Sequence, residues 1–86
     1  MNTKFKDVLQ GIGERKVAVL TEEGEKLIGK VLDVEAIGAI SPDIAMFSNR
    51  KGILLQRERK LTFLEDRDIK SVKKAKPFET EIDYAH

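Results

Sequence analysis

No uninterrupted apolar run in this 86-residue chain is longer than a handful of residues, the longest lying at residues 36–40. A fold made from such pieces must be assembled from short elements separated by turns. Five of the pieces are rich in β-branched and aromatic side chains, at residues 16–21, 26–34, 53–56, 60–64 and 69–74. That composition favours strands. The first two flank a polar turn around Glu22, Glu23 and Gly24, which makes them a hairpin. The third and fourth flank Arg57, Glu58 and Arg59 and form a second hairpin, while residues 65–68 are a tight acidic connection to the last strand. In that strand Ile69, Ser71 and Lys73 alternate with Lys70, Val72 and Lys74. Gly29 lies inside the second strand, where a glycine marks a strong bend or the close approach of another backbone. The expectation is a mainly β chain, a small five-stranded, strongly bent antiparallel barrel.

Ahead of the strands, Phe5, Val8, Leu9 and Ile12 recur at helical spacing. One apolar stripe follows, on a short helix over residues 3–12 that Thr3 or Asn2 can cap and that Gly11 and Gly13 end. Ten residues are too few to persist alone, so the helix must pack, as a lid over an open end of the barrel. Its mixed flanking charges argue against a membrane-surface helix. Residues 36–52 are too long for a structureless loop in a compact domain. Ser41, Pro42 and Asp43 read as a helix start that Gly52 could close, with Ile44 and Phe47 facing inward. A strand over residues 44–48 is the alternative. Residues 1–76 thus form one domain, and residues 77–86 an acidic tail that is either disordered or paired with an exposed strand edge.

Charge is distributed unevenly. Residues 1–35 carry six basic and seven acidic side chains, residues 36–76 ten and five, and residues 77–86 none and three. The middle is therefore +5 and the tail −3. A positive segment can attract phosphate by counterion release, although a solvated charged face is the simpler account. Without cysteine there is no disulfide framework and no thiolate metal site, which suits the cytoplasm. No segment approaches the roughly 20 apolar residues of a membrane span, and the polar start predicts no cleaved signal peptide.

Catalysis requires a nucleophile with a base, paired carboxylates or a metal cluster. His86 is terminal and cannot be held in fixed geometry. Glu65, Asp66 and Asp68 lack the spacing and glycine of a calcium loop. The glycines at 11, 13, 24 and 29 are not followed by the lysine and hydroxyl residue of a phosphate loop. The chain is expected to be no enzyme and to use no cofactor or metal. For nucleic acid, Asn49, Arg50 and Lys51 combine an amide and two cations beside Phe47 at a loop tip. Arg57, Arg59 and Lys60 make a second cluster, and Lys70, Lys73, Lys74 and Lys76 a third.

The order of short helix, strand, glycine turn, bent strand, variable loop, hairpin and final strand resembles the Sm and Sm-like family. Val17, Val19, Leu20, Gly24, Gly29 and Val31 resemble that family's first motif, and Leu61, Phe63, Leu64, Ile69 and Val72 its second. The likeness covers residues 5–74. It implies a small barrel whose members pair their fourth and fifth strands edge to edge into rings, hence a homo-oligomer, and it implies RNA as partner. The family's RNA-contacting positions fall here on Glu35, Ala39, Glu65 and Asp66, so RNA contact would have to come from the loop with Asn49, Arg50 and Lys51. The alternative on the same scaffold is a protein-interaction module that uses its strand edges and the apolar loop holding Ile37, Ile40, Ile44, Met46 and Phe47.

Overall fold

The computed structural model describes residues 2–83; the expectations for His86 and for the tail beyond Asp83 lie outside them. In chain order the elements are α1 (Lys6–Ile12), β1 (Val17–Thr21), β2 (Lys26–Leu32), α2 (Val34–Gly38), α3 (Pro42–Ala45), β3 (Gly52–Gln56), β4 (Leu61–Glu65) and β5 (Ile69–Lys74), with a single 3-10 turn at Asp66–Asp68 before the last strand. The five strands form one antiparallel sheet in the order β4-β3-β2-β1-β5. Among the described residues β4 and β5 are its two outer strands and do not pair with each other, so the sheet is open where the sequence suggested a barrel.

β2 serves two partners with its two halves. Lys26 to Gly29 pair with β1, and Lys30 to Leu32 pair with β3. Gly29 sits at the changeover. A Cβ there would overlap the Gln56 carbonyl oxygen, and would stand 2.8 Å from its carbon and 3.1 Å from the Leu55 side chain. The glycine inside the strand is thus required by the approach of another backbone, as its position suggested.

The β1–β2 turn closes through Thr21, whose N–H donates to the Glu25 carbonyl at 2.9 Å and whose hydroxyl accepts from the Glu25 N–H at 3.1 Å. Gly24 occupies positive φ (+90°), which explains glycine at that position. In β5 strict alternation would separate Ile69 from Val72, yet both are buried. The register supplies the reason: Leu20 faces Ser71 but Thr21 faces Ile69, so Lys70 is an extra residue and a β-bulge turns both apolar side chains inward.

The main core gathers Leu9 and Ile12 from α1 with Val17, Val19, Leu27, Ile53, Leu55, Ile69 and Val72, and Phe5, Val31 and Leu64 pack on it. Val8 departs from the expected stripe and is exposed. The start of α1 is held from outside: Asp66 accepts from the Thr3 hydroxyl and, at 2.7 Å, from the Lys4 N–H. Asn2 adds a backbone bond, its carbonyl accepting from the Gly52 N–H at 2.8 Å.

Residues 34–45 settle the choice between helix and strand in favour of helix, and they begin it earlier than the sequence suggested. The expected second strand ends at Leu32 because Asp33 caps α2, its carboxylate accepting from the Glu35 N–H at 3.1 Å and the Ala36 N–H at 3.4 Å. Pro42 opens α3 as predicted, though the Ser41 side chain makes no capping bond. Gly52 does not end that helix; it opens β3, where a Cβ would press on the Leu64 carbonyl and lie 2.7 Å from the Phe63 ring. Leu32, Val34, Phe47, Leu54 and Phe63 meet on the face of β3 away from the main core. Hence the unbroken apolar run at Ile53, Leu54 and Leu55: both faces of β3 are covered.

Two glycine-to-alanine substitutions should therefore act in opposite directions. Gly29→Ala is expected to destabilise the fold by about 3 kcal/mol, at the upper end of typical overpacking costs. Gly11→Ala, where an added Cβ meets nothing within 4 Å, should stabilise it by about 0.5 kcal/mol. Urea unfolding followed by circular dichroism reads both.

Candidate binding surfaces

Two of the clusters of charged side chains lie one at each end of β3. At its start, the turn after α3 brings Phe47 against Phe63 of β4, the rings stacked 4.8 Å apart with an interplanar angle of 12°. The Arg50 guanidinium lies over the Phe63 ring at 4.9 Å and 5.7 Å from the Phe47 ring centre. Arg50 also forms an ion pair with Glu65, which accepts in addition from Arg67 Nε at 2.9 Å. The Arg50 hydrogen bond, reinforced by the Arg67 charge, holds the Glu65 carboxyl below its ordinary pKa. Lys51 and Asn49 are exposed beside this group, and Arg50, Lys51, Glu65, Asp66 and Arg67 line an open cleft of about 460 Å³.

At the other end of β3 the chain turns sharply, the Arg57 N–H donating to the Lys60 carbonyl at 2.9 Å. Arg59 and Lys60 stand exposed at the tip. Arg57 does not. Its side chain is only 7% exposed, and its guanidinium is enclosed by the acidic tail. Nε donates to Glu81 Oε2 at 2.9 Å and Nη2 to Glu81 Oε1 at 3.0 Å, a bidentate pair; Nη2 also reaches Asp83, and Nη1 donates to Thr62 Oγ1 at 3.2 Å. The Glu81 hydrogen bond raises the Arg57 pKa against the opposing effect of burial. Burial pushes the Glu81 carboxyl up, but the Arg57 hydrogen bond, the Ile28 N–H and the Arg57 charge outweigh it and leave the pKa lowered.

The tail is seated on β2. Lys26 and Ile82 exchange two backbone hydrogen bonds, at 2.7 and 2.8 Å, as an antiparallel bridge. Beside it Glu81 Oε2 accepts from the Ile28 N–H at 2.7 Å, and Glu79 pairs with Lys26 at 3.2 Å. Glu79 also accepts from the Lys76 N–H at 3.0 Å, and that bond first, then the Lys26 bond, lowers its pKa. Lys60 approaches Asp83 at 3.8 Å. A groove of about 660 Å³ runs between this tail and the bent sheet, lined by Lys16, Lys30, Gln56, Arg57, Glu79 and Glu81 among others.

The six candidate residues are thus not one patch. Asn49, Arg50 and Lys51 are separated from Arg57, Arg59 and Lys60 by the length of β3, about 20 Å at the rise of an extended chain. The third cluster, Lys70, Lys73 and Lys74, lies exposed on the far edge strand β5. Of the six, Arg57 is withdrawn from the surface and Arg50 is shared with Glu65. The acidic group at residues 65–68 is similarly committed, Glu65 to arginines and Asp66 to the start of α1. The sequence allowed the tail to pair with an exposed strand edge, and it pairs with the free flank of β2; what sequence reasoning did not specify is the clasp of Glu81 and Asp83 on Arg57. The available signal was the period-two spacing of Glu79, Glu81 and Asp83, which puts three carboxylates on one side of an extended segment.

No protein-family model matches the chain, and no curated protein and no solved structure is significantly similar to it.

Because Glu81 has a depressed pKa when folded, its contribution is complete above the ordinary carboxylate pKa near 4.3 and is lost as pH falls through the folded value. Acidification from pH about 6 to about 3 should therefore release the tail, read as loss of hydrogen-exchange protection at Ile82 and Ile28. Arg57→Ala should release it at neutral pH, with a loss of about 2 kcal/mol in unfolding free energy, the scale of hydrogen bonds to a charged group.

Proposed function

We propose that this chain is a non-catalytic assembly module of the Sm-like type, whose copies join β4 of one to β5 of the next. The observation that carries the reading is the state of the two outer strands. β4 has the sequence Leu-Thr-Phe-Leu-Glu, without lysine, proline or bulge, and leaves Leu61 45% exposed. Such an edge is a template for another strand. β5 carries Lys70, Lys73 and Lys74, whereas β4 carries no basic residue, so the two edges are unlike. A contact between unlike edges is heterologous, and it closes into a ring if the rotation per copy allows.

The strand order β4-β3-β2-β1-β5, the change of partner strand at Gly29 and the N-terminal helix support the Sm-like reading, and pairing of neighbouring copies would cover the edges that a single copy leaves open. The segment of α2 and α3 adds a second surface for a protein partner. Ile40 is 87% and Met46 69% exposed there, whereas Ile37, Ile44 and Phe47 are half-buried.

A second reading, binding of RNA or another nucleic acid, is favoured by the cleft at the start of β3. Phe47, Phe63 and Arg50 provide stacked planar groups with Lys51 and Arg67 exposed beside them, a combination suited to phosphate and bases. Its weak point is Glu65, which already neutralises two of the cations.

Size-exclusion chromatography with light scattering should give a multiple of the 9.7 kDa chain mass, and Leu61→Lys should shift it to the monomer without changing the thermal unfolding of that monomer's sheet. A monomeric wild-type chain at concentrations of tens of micromolar removes the assembly reading. In anisotropy titrations with short RNA, Lys51→Ala and Arg67→Ala should each weaken binding and lower the slope of log K against log salt by roughly one; a slope unaltered in both variants removes that cleft from nucleic-acid binding.

A further inference from the structure

The tail fills a gap that the fold itself creates. β3 follows β2 along Lys30 to Leu32 and then turns away at Arg57, so the flank of β2 at Lys26 to Ile28 has no strand beside it. Residues 79–83 enter that gap as an extended segment with carboxylates on alternate residues, and the receptors match them one by one: Lys26 for Glu79, Arg57 and the Ile28 N–H for Glu81, Arg57 and Lys60 for Asp83. Main-chain pairing fixes the direction and the alternate carboxylates fix the register. These are the two components of peptide recognition by strand addition.

We propose that this groove is a docking site for an extended acidic segment of a partner protein, with carboxylates at alternate positions, and that residues 79–83 are its resident occupant. The buried arginine is what makes the site selective. When the tail leaves, Arg57 keeps only the Thr62 hydroxyl as a described side-chain partner, and a segment that covered the guanidinium again without supplying a counter-ion would bury an unpaired charge, which is costly. An incoming segment must therefore bring acidic groups; a neutral strand would make the backbone bonds and leave the charge unpaired. The tethered tail acts at an effective concentration in the millimolar range, so the site is closed to weak competitors. This site is separate from the β4 and β5 edges, and a chain that proves monomeric leaves it standing.

The test uses the full chain and a fluorescent peptide of sequence Pro-Phe-Glu-Thr-Glu-Ile-Asp, the chain's own residues 77–83. The Glu81→Gln, Asp83→Asn double variant should bind this peptide at least tenfold more tightly than wild type does, and adding Arg57→Gln should abolish the gain. A peptide with Gln, Gln and Asn in place of its three acids should not bind. If the double variant does not fold, an excess of the acidic peptide over wild type serves instead, and should strip hydrogen-exchange protection from Ile82 in the tail while Val19 in the core keeps its own. A folded double variant that ignores the peptide overturns the proposal, as does equal binding of the neutral peptide. Tail protection unchanged by millimolar peptide counts against it in the same way. Arg57-dependent binding of a short RNA, in the absence of peptide binding, would overturn it in favour of a nucleic-acid groove.

Discussion

The contact between Gly29 and the Gln56 carbonyl fixes more of this molecule than any other. It permits one seven-residue strand to belong to two ladders, with β1 on one flank of its first half and β3 on the opposite flank of its second. Only a residue without a Cβ allows the Gln56 backbone so near. With β2 changing partner there, Val17, Val19 and Leu27 share a core with Ile53 and Leu55, and α1 adds Leu9 and Ile12 to it. A chain with 86 residues and no cysteine has little else to hold it, since small domains bury a modest share of their surface.

The same divergence has a cost. Where β3 leaves β2, the N–H and C=O of Lys26 and the N–H of Ile28 would face outward without partners, and Arg57 sits at the point of departure. The tail satisfies all of them. It therefore belongs to the fold, even though it follows the five strands that define the sheet. An acidic segment suits this place because Lys26 of β2 and Arg57 and Lys60 of the β3–β4 turn converge there. Two of the three acids of residues 77–86, Glu81 and Asp83, meet basic side chains of residues 36–76 across more than twenty residues of sequence, while Glu79 meets Lys26.

The strands, their turns and the need for Gly29 were legible because each depends on local chemistry: β-branched runs, a glycine at positive φ, a glycine inside a strand. The helix over residues 34–38 was not read, although Asp33 followed by Val34 and Glu35 is a capping pattern; the apolar alternation of Ile28, Leu32 and Val34 ran on through it and argued for more strand. Phe63 packs against Phe47 and Arg50 on the face of the sheet opposite the main core, and composition does not tell one face from the other. Among the candidate cations, Lys51, Arg59 and Lys60 are exposed as a loop position suggests. Arg57, equally charged and next to the same turn, is buried, because its fate depends on a partner 24 residues away.

That dependence bears on how charge should be read in so small a protein. The basic middle segment suggests a cationic surface, yet Arg50 and Arg67 share Glu65, and Arg57 is matched by Glu81 and Asp83. What is left exposed is divided among Lys51 and Asn49 at one end of β3, Arg59 and Lys60 at the other, and the lysines of β5 on the far edge. The candidate clusters at the two ends of β3 and on β5 thus lie apart on a single copy. Copies joined edge to edge would bring these groups into repeating rows, and rows concentrate counter-ions where isolated lysines do not. Within one copy, contact with a polyanion would rest on one local cluster at a time, as in the cleft at the start of β3.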